Sequence, residues 1–401
     1  ADIVEGDGLV GDAIAYRTRR IEALHLNGRY ADAVDESNRV IGSADRSGDV
    51  AAESIGYSWL SLSFLQLHEF EHALDASDRG LGLAWSLGEE GHDAQARNLA
   101  TSLSVKWVIG QPDDDREAAF RAVVSEAGSG GQDAWDMFEI MTANWRAAWD
   151  PRWLRAFVDA PLSWDVSEGL MAQWFACIHT ASVGDYPSAI SGLEVLMGHA
   201  RRLGFLYGLG RFLNTIGWIH GELGDHDVAT RLNRESIDAA LELQAPDREI
   251  EANARLNIAD DALVRGDLAT AERELASLEP TVRSPTPQDR FMLWRWTMRW
   301  WCTHGRLALA NGNTSTARAA AGECLETAVR VGARKYEVRG RRLLGRALAA
   351  EGDETGAIRE LDAALAIARE IGNPPQLWRT LMARATVGDD GERFAIEAVE
   401  T

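Results

Sequence analysis

Seven times along this chain an alanine stands five residues after a short polar turn, and in six of the seven the turn carries glycine. The pairs are Gly28 with Ala33, His68 with Ala73, Gly184 with Ala189, Gly224 with Ala229, Gly266 with Ala271, Gly312 with Ala317 and Gly352 with Ala357. Successive turns in each run lie about 40 residues apart, and repetition at that period marks a stacked helical array rather than a closed globular core.

The last copy shows what one repeat is. Leu343, Leu344, Ala347 and Leu348 recur at helical spacing before Glu351-Gly352-Asp353, and Ile358, Leu361, Ala364, Leu365 and Ala368 do so after it. The spacing predicts a helical hairpin. Glycine accepts the positive φ that ends the first helix, and the small Ala357 lets the second helix lie close against it. A lone hairpin cannot bury enough apolar surface to offset the roughly 1–2 kcal/mol per residue that backbone ordering costs. The hairpins must therefore stack.

Leu344-Gly345, Ile216-Gly217 and Leu60-Ser61 place a large apolar residue before a small one ahead of the turn, Leu361 and Ala364 repeat an apolar and a small site after it, and Trp301 and Tyr57 hold an aromatic site in the first helix. In these positions the chain resembles the tetratricopeptide repeat family, over 1–110 and 184–372. The period is nearer 40 than that family's 34, so longer helices are expected, and 111–183 matches poorly. Degenerate turns are expected there at Gly110 and Trp149-Asp150, with insertions at 112–115 and 128–131. The resemblance implies an all-α, right-handed α-solenoid of about nine hairpins running through 1–401 as one unit, with 373–401 as capping helices. Long-period repeats of this kind look like the helical-repeat regions of bacterial signalling proteins and transcription activators.

Charge is unevenly spread. The chain has 401 residues and a formal net charge of −21, of which 1–200 carry −18 and 201–401 only −3. Within the second half, 290–346 holds twelve basic residues against Glu323, Glu326 and Glu337. In the family the first helix of each hairpin lines the concave face, at 13, 10, 6 and 3 residues before the turn glycine. Carried onto this sequence, the resemblance implies a groove lined by Arg339, Arg342 and Arg346, by Arg299, Cys302 and Arg306, by Asn253 and Asp260, by Arg211, Asn214 and Trp218, and by Met171, Trp174 and Ile178. Guanidinium forks beside amide donors hold carboxylate or phosphate through charge-assisted hydrogen bonds. The expected ligand- or partner-binding set is Arg211, Asn214, Trp218, Asn253, Arg299, Arg306, Arg339, Arg342 and Arg346. The bland reading of Arg334 and Arg341 is helix-surface pairing with Glu337 and Glu326, worth about 0.3–0.5 kcal/mol a pair. Arginines stacked on adjacent helices repel, so an anionic ligand, an acidic peptide or the acidic N-terminal half is expected to offset them.

Fifteen tryptophans are unusual. Most are expected to pack between hairpins; the sharper reading lines the groove with Trp174, Trp218, Trp296 and Trp300, in cation–π contact with its arginines. Nucleic acid is disfavoured, because a −21 chain repels a polyanion. His68-Glu69-Phe70-Glu71-His72 satisfies a zinc-protease pattern, but His68 holds a turn position, where the helix that must carry both histidines breaks. Asp115 is a candidate N-cap and not a metal ligand. No phosphate-binding loop, nucleophile elbow, C-x-x-C or dinucleotide fingerprint occurs. Cys177, Cys302 and Cys324 read as buried reduced thiols, no apolar run approaches the ~20 residues that span a bilayer, and the acidic, glycine-rich start is unlike a secretory signal. The expectation is a cytoplasmic, non-catalytic scaffold or sensor without cofactor or metal. It binds a protein, an acidic peptide or an anionic small molecule, self-association staying open. The start at Ala1 is compatible with a segment of a larger regulator. The alternative is an α-solenoid enzyme acting on an anionic substrate in a Trp- and Arg-lined pocket.

Overall fold

The computed structural model describes residues 10–111, 113–127 and 166–401. Among them there is no strand, and eighteen α-helices pair into nine hairpins, an all-α helical-repeat superhelix. The first run holds α1 (Val10–Leu26), α2 (Tyr30–Ser47), α3 (Val50–Gln66), α4 (Phe70–Ser86), α5 (His92–Val108) and α6 (Asp114–Ala127). The second begins with α7 (Val166–Ser182), α8 (Tyr186–Leu203), α9 (Leu206–Glu222), α10 (His226–Leu241), α11 (Arg248–Val264) and α12 (Leu268–Arg283). It ends with α13 (Leu293–Ala310), α14 (Thr314–Arg330), α15 (Arg334–Glu351), α16 (Glu354–Ile371), α17 (Pro374–Arg384) and α18 (Gly391–Glu400). The turn expected at Trp149-Asp150 and the insertion at 128–131 lie outside the described residues.

Each hairpin closes as its sequence dictates. All six turn glycines of the repeat have positive φ, and His68 takes the same conformation without glycine's freedom, at φ 62°. The helix does break inside the histidine pair, with α3 ending at Gln66 and α4 starting at Phe70. All seven beat alanines are buried. At four of the seven turns aspartate or asparagine caps the helix that follows: Asp185, Asp267, Asn313 and Asp353 each accept from the backbone N–H three residues on. At α6 the cap is Asp113, which accepts from the Arg116 N–H at 3.0 Å, and not Asp115, which lies inside the helix.

The two runs touch through their turns. The Ala31 N–H donates to Gln244 at 2.8 Å, the His68 ring stacks on Phe291 with centroids 4.9 Å apart, and the Met292 N–H donates to the Val108 carbonyl at 2.9 Å. Leu65, Phe70, Leu99 and Trp107 share one apolar core with Phe291, Met292 and Trp294. The first run thus braces the loops from which α11 and α13 start.

Candidate functional site

The first helices α9, α11, α13 and α15, with α7 and α17 at the two ends, surround a cavity of about 560 Å³. All nine residues of the expected binding set line it, together with Cys302, Asp260, Trp174 and Ile178; Met171 does not. The size is that of a pocket for a small ligand or a short peptide segment. Nine basic side chains and four carboxylates face it.

At one end the charges cancel. Arg211, its side chain 4% exposed, bridges Asp247 at 3.0 Å and Glu249 at 2.9 Å, and Arg295 reaches the other oxygen of Glu249 at 2.8 Å. Asp247 also caps α11 through the Ile250 N–H at 3.0 Å. Arg211 is thereby a structural cation that ties α9 to α11. Asn253 donates to the Glu249 carbonyl, Asn214 to Asn233, and Asn257 to Asn233 and to the Asn214 carbonyl, which joins α9, α10 and α11 by amides.

In the middle, Asp260 gathers three arginines from two repeats. Arg306 lies at 2.6 Å, Arg299 at 3.1 Å and Arg339 at 3.7 Å, and the Thr303 hydroxyl donates to it at 2.9 Å. Burial works to raise Asp260, but Arg306, Arg299 and Arg339 outweigh it and hold the carboxyl well below the usual range. The repulsion expected between stacked arginines is therefore offset by a residue of the groove itself. Arg299 also donates to Asn257. Next to it, burial lifts Asp261 to about 6 against the pull of His226, with Asp260 raising it further.

Along α15, three cations lack carboxylates. Arg342 donates only to neutral acceptors, the Thr380 hydroxyl and the Gln376 side chain, each at 3.0 Å, and the Gln376 carbonyl. Burial, then Arg379 and Arg339, push its pKa well down. Arg346 has no hydrogen-bond or ion-pair partner among the described residues, and burial and Arg306 lower its pKa. Lys335 lies over the Trp218 ring, 5.7 Å from its centroid, without a carboxylate in ion-pair reach. Across the mouth, Arg379 of α17 pairs with Glu222 of α9, which also accepts from the Trp218 indole at 2.9 Å.

Several expectations are corrected. Trp296 and Trp300 are 1% exposed and sit in the core between α12 and α13, where Trp300 donates to the Leu275 carbonyl; only Trp174 and Trp218 of the four line the cavity. Glu337 pairs with both Arg334 and Arg341, whose second partners are Glu370 and Glu360 and not Glu326. Arg295, Lys335 and Glu249 were missed, yet they stand four residues before Arg299, Arg339 and Asn253. One more helical turn back from each turn glycine would have found all three. Gln376 and Arg379 come from a hairpin outside the seven-fold beat, and only stacking brings them in.

Fold and site together define a class: an all-α helical-repeat protein with an open, cation-rich cavity. No protein-family model matches the chain, and no curated protein matches it. Among solved structures it is similar to yeast Tom70, at 10% identity over 97% of this chain and 96% of that one, with a TM-score of 0.25. It is also similar to the P58(IPK) TPR domain, at 16% identity over 92% and 98% with a TM-score of 0.23, and to the APC/C hetero-tetramer Cut9-Hcn1, at 10% over 96% of both with 0.27. The scores are low, and the architecture rests on the hairpins themselves. Among the described residues no helix is long and apolar enough to cross a membrane, and no group of three or more His, Cys, Asp or Glu is placed to hold a metal.

Proposed function

We propose that this chain is a non-catalytic helical-repeat binding protein, a scaffold or sensor that captures an anionic ligand or the acidic segment of a peptide in its concave cavity. The supporting observation is the α15 wall of that cavity, along which Lys335, Arg342 and Arg346 stand without a carboxylate partner among the described residues. Buried cations are retained where something pairs with them. The repeat resemblance extends the reading to a regulator of bacterial signalling or transcription working in the cytoplasm, a role that rests on sequence pattern alone.

Pyrophosphate and an aspartate-rich hexapeptide, titrated by calorimetry, test it. A charge-assisted hydrogen bond is worth about 1.5–3 kcal/mol, so Arg346→Gln with Arg342→Gln is expected to weaken the bound probe by roughly 10-fold or more. The ellipticity should not change. Arg299 is a poor probe, because its loss also breaks the Asp260 cluster that holds α11 to α13. No binding of either probe by the wild type, or undiminished binding by the double variant, would sink the reading.

A further inference from the structure

Cys302 on α13 and Cys324 on α14 face one another across one hairpin, their Sγ atoms 3.1 Å apart. Both are buried, 2% and 0% exposed, and both are free thiols. They stand 22 positions apart with the Gly312 turn between them, so the sequence has no C-x-x-C signature to announce the pair. Cys302 also lines the cavity, which places it on the side from which a small oxidant would approach. A disulfide needs about 2.05 Å between sulfurs, and closing the remaining ångström is a side-chain adjustment within a hairpin already in contact.

We propose that Cys302 and Cys324 are a redox-active dithiol, converted by a hydroperoxide into an intramolecular disulfide in the wall of the cavity. Cys302 is the attacking sulfur. Its thiol is drawn down by the hydrogen bond with Cys324 and, against burial, by Arg339 and Arg342, whereas that same hydrogen bond and burial push Cys324 up. The Cys302 thiolate attacks one peroxide oxygen, the O–O bond breaks, and a sulfenic acid forms as hydroxide leaves and takes up a proton. Cys324 then loses its proton, its sulfur bonds to that of Cys302, and the S–O bond breaks to release a second water. Two thiols and one hydrogen peroxide give one disulfide and two waters, the peroxide taking both electrons. A small dithiol reverses the step. Cys177, whose thiol burial raises to about 11 and which lies on α7, is a control inside the same chain.

The full chain is treated with stoichiometric hydrogen peroxide, quenched in denaturant with an alkylating reagent, and mapped by mass spectrometry without reduction. Three alkylated cysteines are expected before oxidation and one, Cys177, afterwards, with the Cys302 and Cys324 peptides joined and lighter by two hydrogens. Dithiothreitol should restore all three. In Cys324→Ser, Cys302 should be trapped by dimedone as the sulfenic acid at least about tenfold faster than Cys177. Three alkylatable thiols after oxidation, or equal modification of Cys177, would overturn the proposal, and the wild-type map decides it even where the variant does not fold. The measurement involves no anion, so its failure leaves the binding reading standing.

Discussion

Lys335 is one of two lysines in the chain, and the other, Lys106, is paired with Asp113. Burial first, then Arg339 and Arg299, lower Lys335 to about 7, with Glu222 opposing and Arg295 adding to the fall. For a lysine whose folded pKa is depressed, the native state pays for the charge in full below the folded value. Between about 7 and 10.5 the unfolded chain binds more protons than the native one, so this group's contribution to stability rises with pH across that window. Lys335→Met is therefore expected to raise the melting temperature of the unliganded protein most at pH 7 and below, the gain fading towards pH 10. A gain that is flat across this range would refute the shift. Anion capture should follow the opposite slope, weakening above pH 7 as the amine loses its proton. The position was legible and the chemistry was not. Lys335 lies one helical turn beyond the expected lining stripe and could have been counted, but that it lacks a carboxylate depends on Glu222 being tied to Arg379, 157 positions away in the chain.

At the scale of the hairpin, the beat of glycine and alanine was readable because each turn is local. The small residue seven positions before the turn residue, Ser61, Gly217 or Gly345, was readable too, and packing explains it. A Cβ on Gly345 would lie 2.7 Å from Leu361 Cγ and 3.2 Å from the Ala357 carbonyl, so α15 and α16 touch backbone to backbone there. Gly345→Ala is expected to cost about 1–3 kcal/mol by overpacking. Gly322, exposed on α14 with nothing within 4 Å of a Cβ, should do the reverse, gaining about 0.5–1 kcal/mol as alanine. Urea titrations of the two variants test the pair of signs; a shift in the same direction for both would show that helix propensity and not contact decides. A second set of glycines escaped the pattern. Gly48, Gly204, Gly332 and Gly372 also have positive φ, but they join one hairpin to the next, where no alanine follows at fixed distance. Met292 adopts the same backbone without glycine, at φ 53°, held by its N–H bond to Val108.

The whole molecule departs most from what local pattern conveys, because the two runs of hairpins meet through residues some 184 to 223 positions apart. Trp294 is the centre of that meeting. Its indole donates to the Trp107 carbonyl at 3.2 Å, and its ring lies against Gly110, where a Cβ would come within 3.1 Å of it. The sequence showed a tryptophan cluster at 294–301 without showing that one member faces the other run while Trp296 and Trp300 face α12. Repeat arrays are stabilised by nearest-neighbour interfaces, and cooperativity lapses where one interface is weakened. Trp294→Ala should cost about 3–5 kcal/mol as a large buried side chain is lost, and the loss falls on the contact between runs. Wild type is expected to unfold in urea with coincident fluorescence and ellipticity transitions. The variant should show two, the first exposing 10–127 to limited proteolysis. Because Arg295 and Arg299 share α13 with Trp294, pyrophosphate affinity should fall with the first transition, when the start of that helix loses its brace. A single coincident transition at lower urea would mean that the runs fold as one unit and that Trp294 contributes only volume to it.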